Sequence, residues 1–369
     1  MKKYDICIVG GGIVGLAHTL HAAQNGLKVV HFERNQFALG ASVRNFGLVW
    51  PIGQRTETYN RAMRSKEVWL EMSRKSGFHV KQNGSLHLAY HEDEMNVLQE
   101  FVSNGQSYNS TLLSIESIKK DYSHINPTNL LGGLYSASEM TVDPREAIKK
   151  ISEYLSSLEN VDMHFGQTVT GVNMPVVSTF EMDVAVDHLV ICSGADFETL
   201  YPNQLKVNGL TKCKLQMMRT QPVDFELGPT LCAGLTLTHY DAFEGCNSLI
   251  EVRNRFEQTM PEFRRNGIHV LLAQNELGEL IIGDSHHYNE DFYPFDDLSV
   301  DQLILEYLST FFLGKFEIKE KWHGIYAKQS NGDTDVVLHP EKNVTLVNGL
   351  GGAGMTLSFG LAEEVISAL

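Results

Sequence analysis

The chain is short of cysteines and of positive charge, and it has no long apolar run. Its five cysteines, Cys7, Cys192, Cys213, Cys232 and Cys246, are odd in number and never spaced C-x-x-C. That pattern excludes a disulfide framework and a thiolate metal site, and leaves the cysteines as small buried hydrophobes of a reduced protein. Lysine and arginine total 30 against 45 acidic residues, a net charge of −15. Nucleic acid and anionic membrane both need a basic surface and are excluded as partners; a small anionic substrate, which feels only local charge, is not. No stretch approaches the ~18 apolar residues of a membrane span. Met1-Lys2-Lys3 precedes an apolar run too short for a signal peptide. Low-complexity segments and internal repeats are absent as well. The expectation is a soluble cytoplasmic protein. With 43% apolar and 20% charged residues over 369 positions, it has core enough for two or three domains.

What is present concentrates in residues 4–33. Ile6-Cys7-Ile8-Val9 is continuously apolar, as a parallel strand buried on both faces should be. Gly10-Gly11-Gly12-Ile13-Val14-Gly15 follows, a G-x-G-x-x-G, and then a helical stretch to about Asn25 with Gly26 past its end. A second strand, Val29-Val30-His31-Phe32, ends in Glu33, 18 positions after Gly15. This is a β-α-β dinucleotide unit. Gly10 permits the tight turn, Gly12 lets backbone approach a pyrophosphate, and Gly15 lets the helix pack on the strand. The helix N-terminus at Ile13 and Val14 stabilises the anion, and Glu33 accepts the ribose hydroxyls. Physics alone does not separate FAD from NAD at Glu33, because both carry that diol.

Further along, 56–76 reads as a helix closed by Gly77, and 85–90 as a strand. Residues 91–121 read as short helices, with Glu92-Asp93-Glu94 a solvated helix start. Asp143-Pro144-Arg145-Glu146 combines an Asp N-cap, Pro at N1 and Glu at N3, and starts a helix to about Ser157. Strand-like segments fall at 161–165, 168–173 and 181–187, and His188 to Cys192 is another buried run. Residues 214–283 mostly alternate, which predicts an antiparallel sheet; Leu235-Thr236-Leu237-Thr238 is read as one of its strands, ending at His239. Ser299 with Gln302 is the predicted cap of a helix to about Phe312. Val344-Thr345-Leu346-Val347 runs into Asn348-Gly349-Leu350-Gly351-Gly352-Ala353-Gly354 and a last helix. Parallel α/β character at the start, middle and end, with antiparallel character between, predicts an α/β fold. A discontinuous Rossmann-like domain (1–80, 141–212 and 324–369) would carry the dinucleotide, and an α+β antiparallel-sheet domain (81–140 and 213–323) the substrate.

Three signatures together resemble one family. They are the N-terminal unit; Val190-Ile191-Cys192-Ser193-Gly194-Ala195, similar to the strand and Ser/Thr-Gly turn of two-dinucleotide-binding flavoproteins; and Gly349-x-Gly351-Gly352-x-Gly354-Met355-Thr356. The last is similar to the flavin-cradling turn of the D-amino-acid oxidase superfamily, which includes glycine oxidase and sarcosine oxidase. Gly40 to Gly47 also looks like that family's segment past the pyrophosphate. The resemblance implies FAD as cofactor. It places Gly10, Gly12, Gly15, Glu33 and Arg34 on the ADP half, with Val169 on adenine. Ser42, Arg44 and Asn45 would lie near the pyrophosphate, ribityl chain or ring, Ser193 and Gly194 on the pyrophosphate or ribityl chain, and Gly351, Gly352, Gly354, Met355 and Thr356 around the isoalloxazine. Trp322-His323-Gly324-Ile325-Tyr326 lacks the cysteine that tethers flavin in some relatives, so FAD is expected to be non-covalent.

Two departures bear on the substrate. The cation that holds a substrate carboxylate in family members is missing from Gly351–Thr356, and between Gly324 and Pro340 only Lys328, His339 and Tyr326 are available. The lysine that promotes reaction with oxygen in sarcosine oxidase has no counterpart near Leu280–Gly283, so the acceptor is left open between dioxygen and another electron acceptor, a quinone or a carrier protein. Gly40–Gly47 with Trp50-Pro51, Thr238-His239-Tyr240 and Gly283-Asp284-Ser285-His286 resemble the branch associated with aminophosphonate breakdown. The resemblance implies a small amine, an amino acid, N-methyl amine or aminophosphonate. It would be oxidised by hydride transfer from the carbon alpha to nitrogen to flavin N5, with hydrolysis of the imine. His239, His323 and Tyr326 are the catalytic candidates, and Arg44, Tyr240 and His286 the substrate-binding ones. An NAD-linked dehydrogenase or a non-catalytic FAD-binding subunit are the alternatives. No metal site is expected: His286 and His287 would point to opposite faces of a strand, and Asn331–Asp335 lacks the glutamate of a calcium loop.

Overall fold

The computed structural model describes residues 1–104 and 108–369. The centre of its first sheet is five parallel strands in the order Val161–Phe165, Val29–Glu33, Lys2–Val9, Asp183–Ile191, Val344–Asn348. The apolar runs read from sequence are these strands; Ile6, Cys7, Ile8, Val29, Val30, Leu189 and Val190 are fully buried. Antiparallel strand Val176–Thr179 pairs on the first half of Asp183–Ile191 and carries Val169–Asn173 on its outer side, and Val336–Glu341 pairs with the last strand. Because the five central strands run one way, their carboxyl ends stop along one edge. That edge is where an open α/β sheet binds its ligand.

Helix Ile13–Gln24 and helix Gly354–Ser367 each follow one of these strands and pack against each other. Gly15 makes the first crossing possible: a Cβ there would stand 1.8 Å from the Gly10 carbonyl oxygen. Helix Thr56–Ser76, closed by Gly77 in the left-handed region, lies on the C-terminal helix. There Trp69 donates its indole N–H to the Met355 carbonyl (2.7 Å), and Arg61 and Arg64 pair with Glu364 and Glu363.

The second sheet has nine strands and is antiparallel apart from the pairing of Ser85–Ala89 with Thr230–Cys232. Its spine is Leu210–Pro222 paired along its length with Ile318–Gln329. These two strands cross positions 213 and 323, where the sequence suggested domain boundaries. Leu48–Val49, Met140–Val142 and Val80–Lys81 form a small third sheet.

Four local expectations need correction. Ser110–Ser114, inside the stretch read as short helices, is a strand of the second sheet paired with Gly132–Ser136. Residues Gly234–Thr238 form a 3₁₀ helix, not a strand. Thr236 is as buried as Leu235 and Leu237, so the apparent alternation never separated two faces. Helix Leu298–Phe311 is capped by Asp297, whose carboxylate accepts both the N–H and the hydroxyl of Ser299 (2.8 and 2.7 Å); a carboxylate outcompetes a neutral hydroxyl at a helix N-terminus. Helix Glu92–Ser103 begins where expected, but Glu94 is buried and bonded to Arg255 (2.6 Å) rather than solvated. Asp143 caps helix Pro144–Ser156 as read, accepting the Arg145 N–H at 3.0 Å. All five cysteines are buried and free. No helix among the described residues is long and apolar enough to cross a membrane.

Buried histidines set a pH limit on the fold. Burial lowers His18 to about 4 and His31 and His87 to about 3. Between those values and the ordinary ~6.5 the unfolded chain binds protons that the folded chain refuses, so stability rises with pH through that window. It is fully present above about 6.5 and is lost as pH falls toward 4, at up to about 1.4 kcal/mol per pH unit for each histidine. Urea midpoints measured from pH 7 to 4.5 should fall, and His31→Gln should flatten the slope. Gly15→Ala should cost on the order of 1–3 kcal/mol through overpacking, read from the same denaturation curves.

Candidate functional site

A cavity of about 710 Å³ opens where the two sheets meet. On the first-sheet side it is lined by the turns after the carboxyl ends: Gly10 to Val14, Glu33 to Asn35, Gln167 to Val169, Ser193 and Gly194, and Asn348 with Leu350 to Gly352. On the other side stand Leu215, Met217, His239, Tyr240, His269, Asp284, His286 and Gly324 to Ala327.

Backbone at the first side is bare by necessity. A Cβ on Gly10, whose φ is +109°, would lie 2.3 Å from the Cys192 carbonyl oxygen, and one on Gly12 would lie 2.9 Å from Ser42 Oγ. Neither helix N-terminus here is capped by its own N-cap side chain, Gly12 or Ala353; Ser42 Oγ instead accepts the Ile13 N–H at 2.9 Å. Two helix N-termini therefore meet one cavity, each suited to negative charge. Glu33 is held in place, its carboxylate accepting N–H groups of Gly11 (2.6 Å) and Asn35 (2.8 Å). Asn348 ties the last turn to the middle one by donating to the Gly194 carbonyl (2.9 Å). Arg34 pairs with Asp196 at the rim.

Most predicted cofactor positions line this cavity: Gly10, Gly12, Ile13, Val14, Glu33, Arg34, Ser42, Arg44, Asn45, Val169, Ser193, Gly194, Gly351, Gly352, Gly354 and Met355. Gly15 lies behind it as a packing residue. Thr356 also lies off it, its hydroxyl accepting the Trp50 N–H at 2.9 Å. Of the chemical candidates, His239, Tyr240, His286, Tyr326 and Arg44 line it. His323 does not; it faces a neighbouring cavity of about 600 Å³, bonded to Asp296 at 2.8 Å. Arg44 borders both cavities, its guanidinium 3.4 Å from the His323 carbonyl. His339 is exposed and bonds Thr345. Lys328 reaches the Tyr288 hydroxyl at 3.4 Å.

The second-sheet side holds a histidine stack. Ring centroids of His239 and His269 are 3.7 Å apart, His239 and His286 4.5 Å, His269 and His286 4.9 Å. His286 is anchored by Nδ1 against the Gly267 carbonyl (3.1 Å); Gly267 must be glycine, since a Cβ would meet His286 Cβ at 2.8 Å. Burial lowers all three imidazoles, with mutual repulsion and Lys328 adding to it; His286 is lowered to about 3. Burial likewise raises the Tyr240 and Tyr326 phenols and the Asp284 carboxyl. The three histidines place one nitrogen each within 4.8 Å of the others, a spacing a metal ion could bridge. However, His239 and His269 stack face to face at an interplanar angle of 28°. Their in-plane lone pairs run side by side instead of meeting at one point, as ligands of one ion must. The trio is a neutral hydrogen-bonding wall.

In the sequence His269 carries no signature of a role, and Asp284 stands out only as part of Gly283-Asp284-Ser285-His286. The available signal is a polar residue inside the apolar run Ile268–Ala273, and an acid directly after Leu280–Gly283.

These features define a dinucleotide-type site: one cavity with a firmly held buried acid, Glu33, bordered by two glycine turns from opposite ends of the chain. Residues 5–368 match the FAD dependent oxidoreductase (DAO) family, and the chain belongs to it. Its cofactor is FAD, and the cradle just described fits that group. Among similar proteins, one of the subunits of opine oxidase from Rhizobium meliloti is 27% identical over 154 residues (38% of this chain, 41% of that protein). Gamma-glutamylputrescine oxidoreductase of Escherichia coli K12 is 22% identical over 275 residues (67% and 61%). Glycerol 3-phosphate oxidase of Mycoplasma pneumoniae is 26% identical over 193 residues (49% of each). The chain thus spans roughly two-fifths to three-fifths of these relatives. The same fold is seen in glycine oxidase from Geobacillus kaustophilus (TM-score 0.78, 18% identity, 100% of this chain and 95% of that one). It is seen too in L-proline dehydrogenase from P. horikoshii (TM-score 0.78, 18% identity, 99% and 93%).

Glu33→Ala should weaken FAD by roughly 10–100-fold, the loss of a hydrogen bond to a charged group. Flavin absorbance retained after gel filtration at low protein concentration measures it.

Proposed function

We propose that this chain oxidises a small amine at the carbon alpha to nitrogen and that the imine formed is then hydrolysed; bound FAD supplies the two-electron acceptor. The observation that carries this reading is the composition of the second-sheet wall. Facing the glycine cradle across one cavity are three neutral imidazoles and two neutral phenols. They orient a small polar substrate by hydrogen bonds and exclude water, and positioning is most of what hydride chemistry asks of a protein. His239 and Tyr326 contact the reacting end. Arg44, Tyr240 and His286 take the substrate's anionic group, with His323 reserved to the neighbouring cavity. The dinucleotide is held by 1–80, 141–212 and 324–369 and the substrate by 81–140 and 213–323, with strand Ile318–Gln329 serving the second sheet.

An aminophosphonate, N-methylated or not, suits this wall among amines. Imidazoles and an arginine give a phosphonate several donors. Support also comes from relatives whose names join the two chemistries, amines in gamma-glutamylputrescine oxidoreductase and a phosphate monoester in glycerol 3-phosphate oxidase.

Anaerobic absorbance titration of the purified protein with glycine, sarcosine, 2-aminoethylphosphonate, its N-methyl form and glycerol 3-phosphate tests the reading. An amine should bleach the flavin band, and a phosphonate amine at the lowest concentration. Bleaching by glycerol 3-phosphate alone would overturn it. His286→Ala should raise the half-bleaching concentration of the phosphonate amine by about tenfold while leaving the flavin spectrum unchanged.

A further inference from the structure

His269 and Asp284 face each other just beyond the Leu271–Gly283 pair of the second sheet. Each donates its backbone N–H to the other's carbonyl, at 3.2 and 2.9 Å. This reciprocal pairing holds both side chains at the cavity. Nε2 of His269 lies 3.0 Å from Oδ1 of Asp284. The approach is close but misaligned: Nδ1 of His269 and Oδ1 of Asp284 both lack a hydrogen-bond partner in the protein. The two residues are only 3% and 5% exposed. Buried polar atoms left in that state are costly, and hydrogen bonds of a catalytic site often align only when substrate is present.

Around the pair, the other titratable groups among the described residues are held neutral or lie at its edge. His239 and His286 stack beside it. Tyr240, Tyr288, Tyr326 and Cys213 feel the Asp284 charge, and burial raises all four and keeps them neutral. Lys328 is the cation that acts on the histidines.

We propose that His269 and Asp284 work as one proton acceptor for the ammonium group of the substrate, His269 as the catalytic base and Asp284 as its positioning residue. The inference rests on the amine reading above. Without its extra proton the pair carries one negative charge, which an alkylammonium ion entering the cavity neutralises. One N–H bond of the ammonium breaks, and the proton passes to imidazole nitrogen. The amine keeps the electron pair, and the His269–Asp284 pair ends with no net charge. Two opposite charges disappear from a water-poor cavity, a change that a low dielectric favours. His239 acting alone would instead become a buried cation. Burial lowers His269 and raises Asp284, so the two exchange a single proton as a coupled unit.

The test is the rate of flavin bleaching against pH, under anaerobic stopped flow, with whichever amine of the titration bleaches wild type. His269→Gln should slow bleaching at pH 7 by 100-fold or more, and Asp284→Asn by at least about tenfold. In Asp284→Asn the acid limb of the profile should also move to lower pH, because the imidazole has lost the carboxylate that favours its protonation; Asp284→Glu should restore part of the rate. Variants that hold flavin and keep the wild-type rate and profile overturn the proposal. Wild type alone decides the matter too: with a less basic N-(2-fluoroethyl) analogue of the same amine, a limb belonging to the pair stays in place. A limb that only follows the amine overturns the proposal. If no amine bleaches any form, the amine reading itself has failed, a result distinct from bleaching that ignores His269 and Asp284.

Discussion

Close approach of backbone to backbone at the carboxyl edge of the first sheet is the constraint on which the rest depends. Gly15 lets helix Ile13–Gln24 lie against the Gly10 turn, and Gly10 lets that turn lie against Cys192. A single methylene at either position would lift the helix or split two neighbouring strands. Everything downstream assumes the edge is intact. It aims two helix N-termini at one cavity, fixes Glu33 through the Gly11 N–H, and brings the turn that starts at Gly349 beside the one that starts at Gly10. The cavity is less a hole left by folding than the space that glycine backbone cannot fill.

The second sheet answers a different requirement. Apart from Gly324, it brings to the cavity mainly side chains, among them a wall of rings whose charge is suppressed by burial. Neutral imidazoles and phenols offer hydrogen bonds without the desolvation cost that fixed ions carry in such a place. The cations nearby are mostly spent on carboxylates: Lys214 on Asp296, Lys212 on Glu198, and Arg219 on Glu279 and Glu320. An overall charge of −15 thus says little about the interior of the site, where the balance is set residue by residue.

Legibility in the sequence follows the range of the forces involved. The β-α-β unit, the helix caps at Asp143 and Gly77, and the glycine turn before the last helix are local devices. Each is encoded within a few residues, and each is readable. The parallel strands are readable because burial on both faces makes a continuous apolar run. What misleads is alternation that is not facial, at Leu235–Thr238, and an acidic start at Glu94 whose partner, Arg255, lies 161 positions away. The site divides in the same way. Positions around the cofactor are carried by short motifs. The stack of His239, His269 and His286 exists only because a 3₁₀ turn, a strand end and the glycine at 267 meet in space, and no spacing along the chain announces it. Proximity to Tyr326 in sequence suggests that His323 is near the chemistry, yet neighbours on a strand face opposite sides or shift along it, and the cavity they border differs.

The cofactor cradle also has an order in time. Strand Val344–Asn348 and helix Gly354–Ser367 complete the sheet edge that Lys2–Val9 begins, so an early-made strand waits for a late-made one. During synthesis the early β-α-β unit has half of its helix packing unmade, and the apolar faces of Leu16, Leu20 and Trp69 lack the Phe359 layer that later covers them. Nascent chains of this design therefore present a sticky, cofactor-less intermediate for as long as translation of the long middle stretch takes. A pause before Val344 is made is a problem of solubility before it is one of activity.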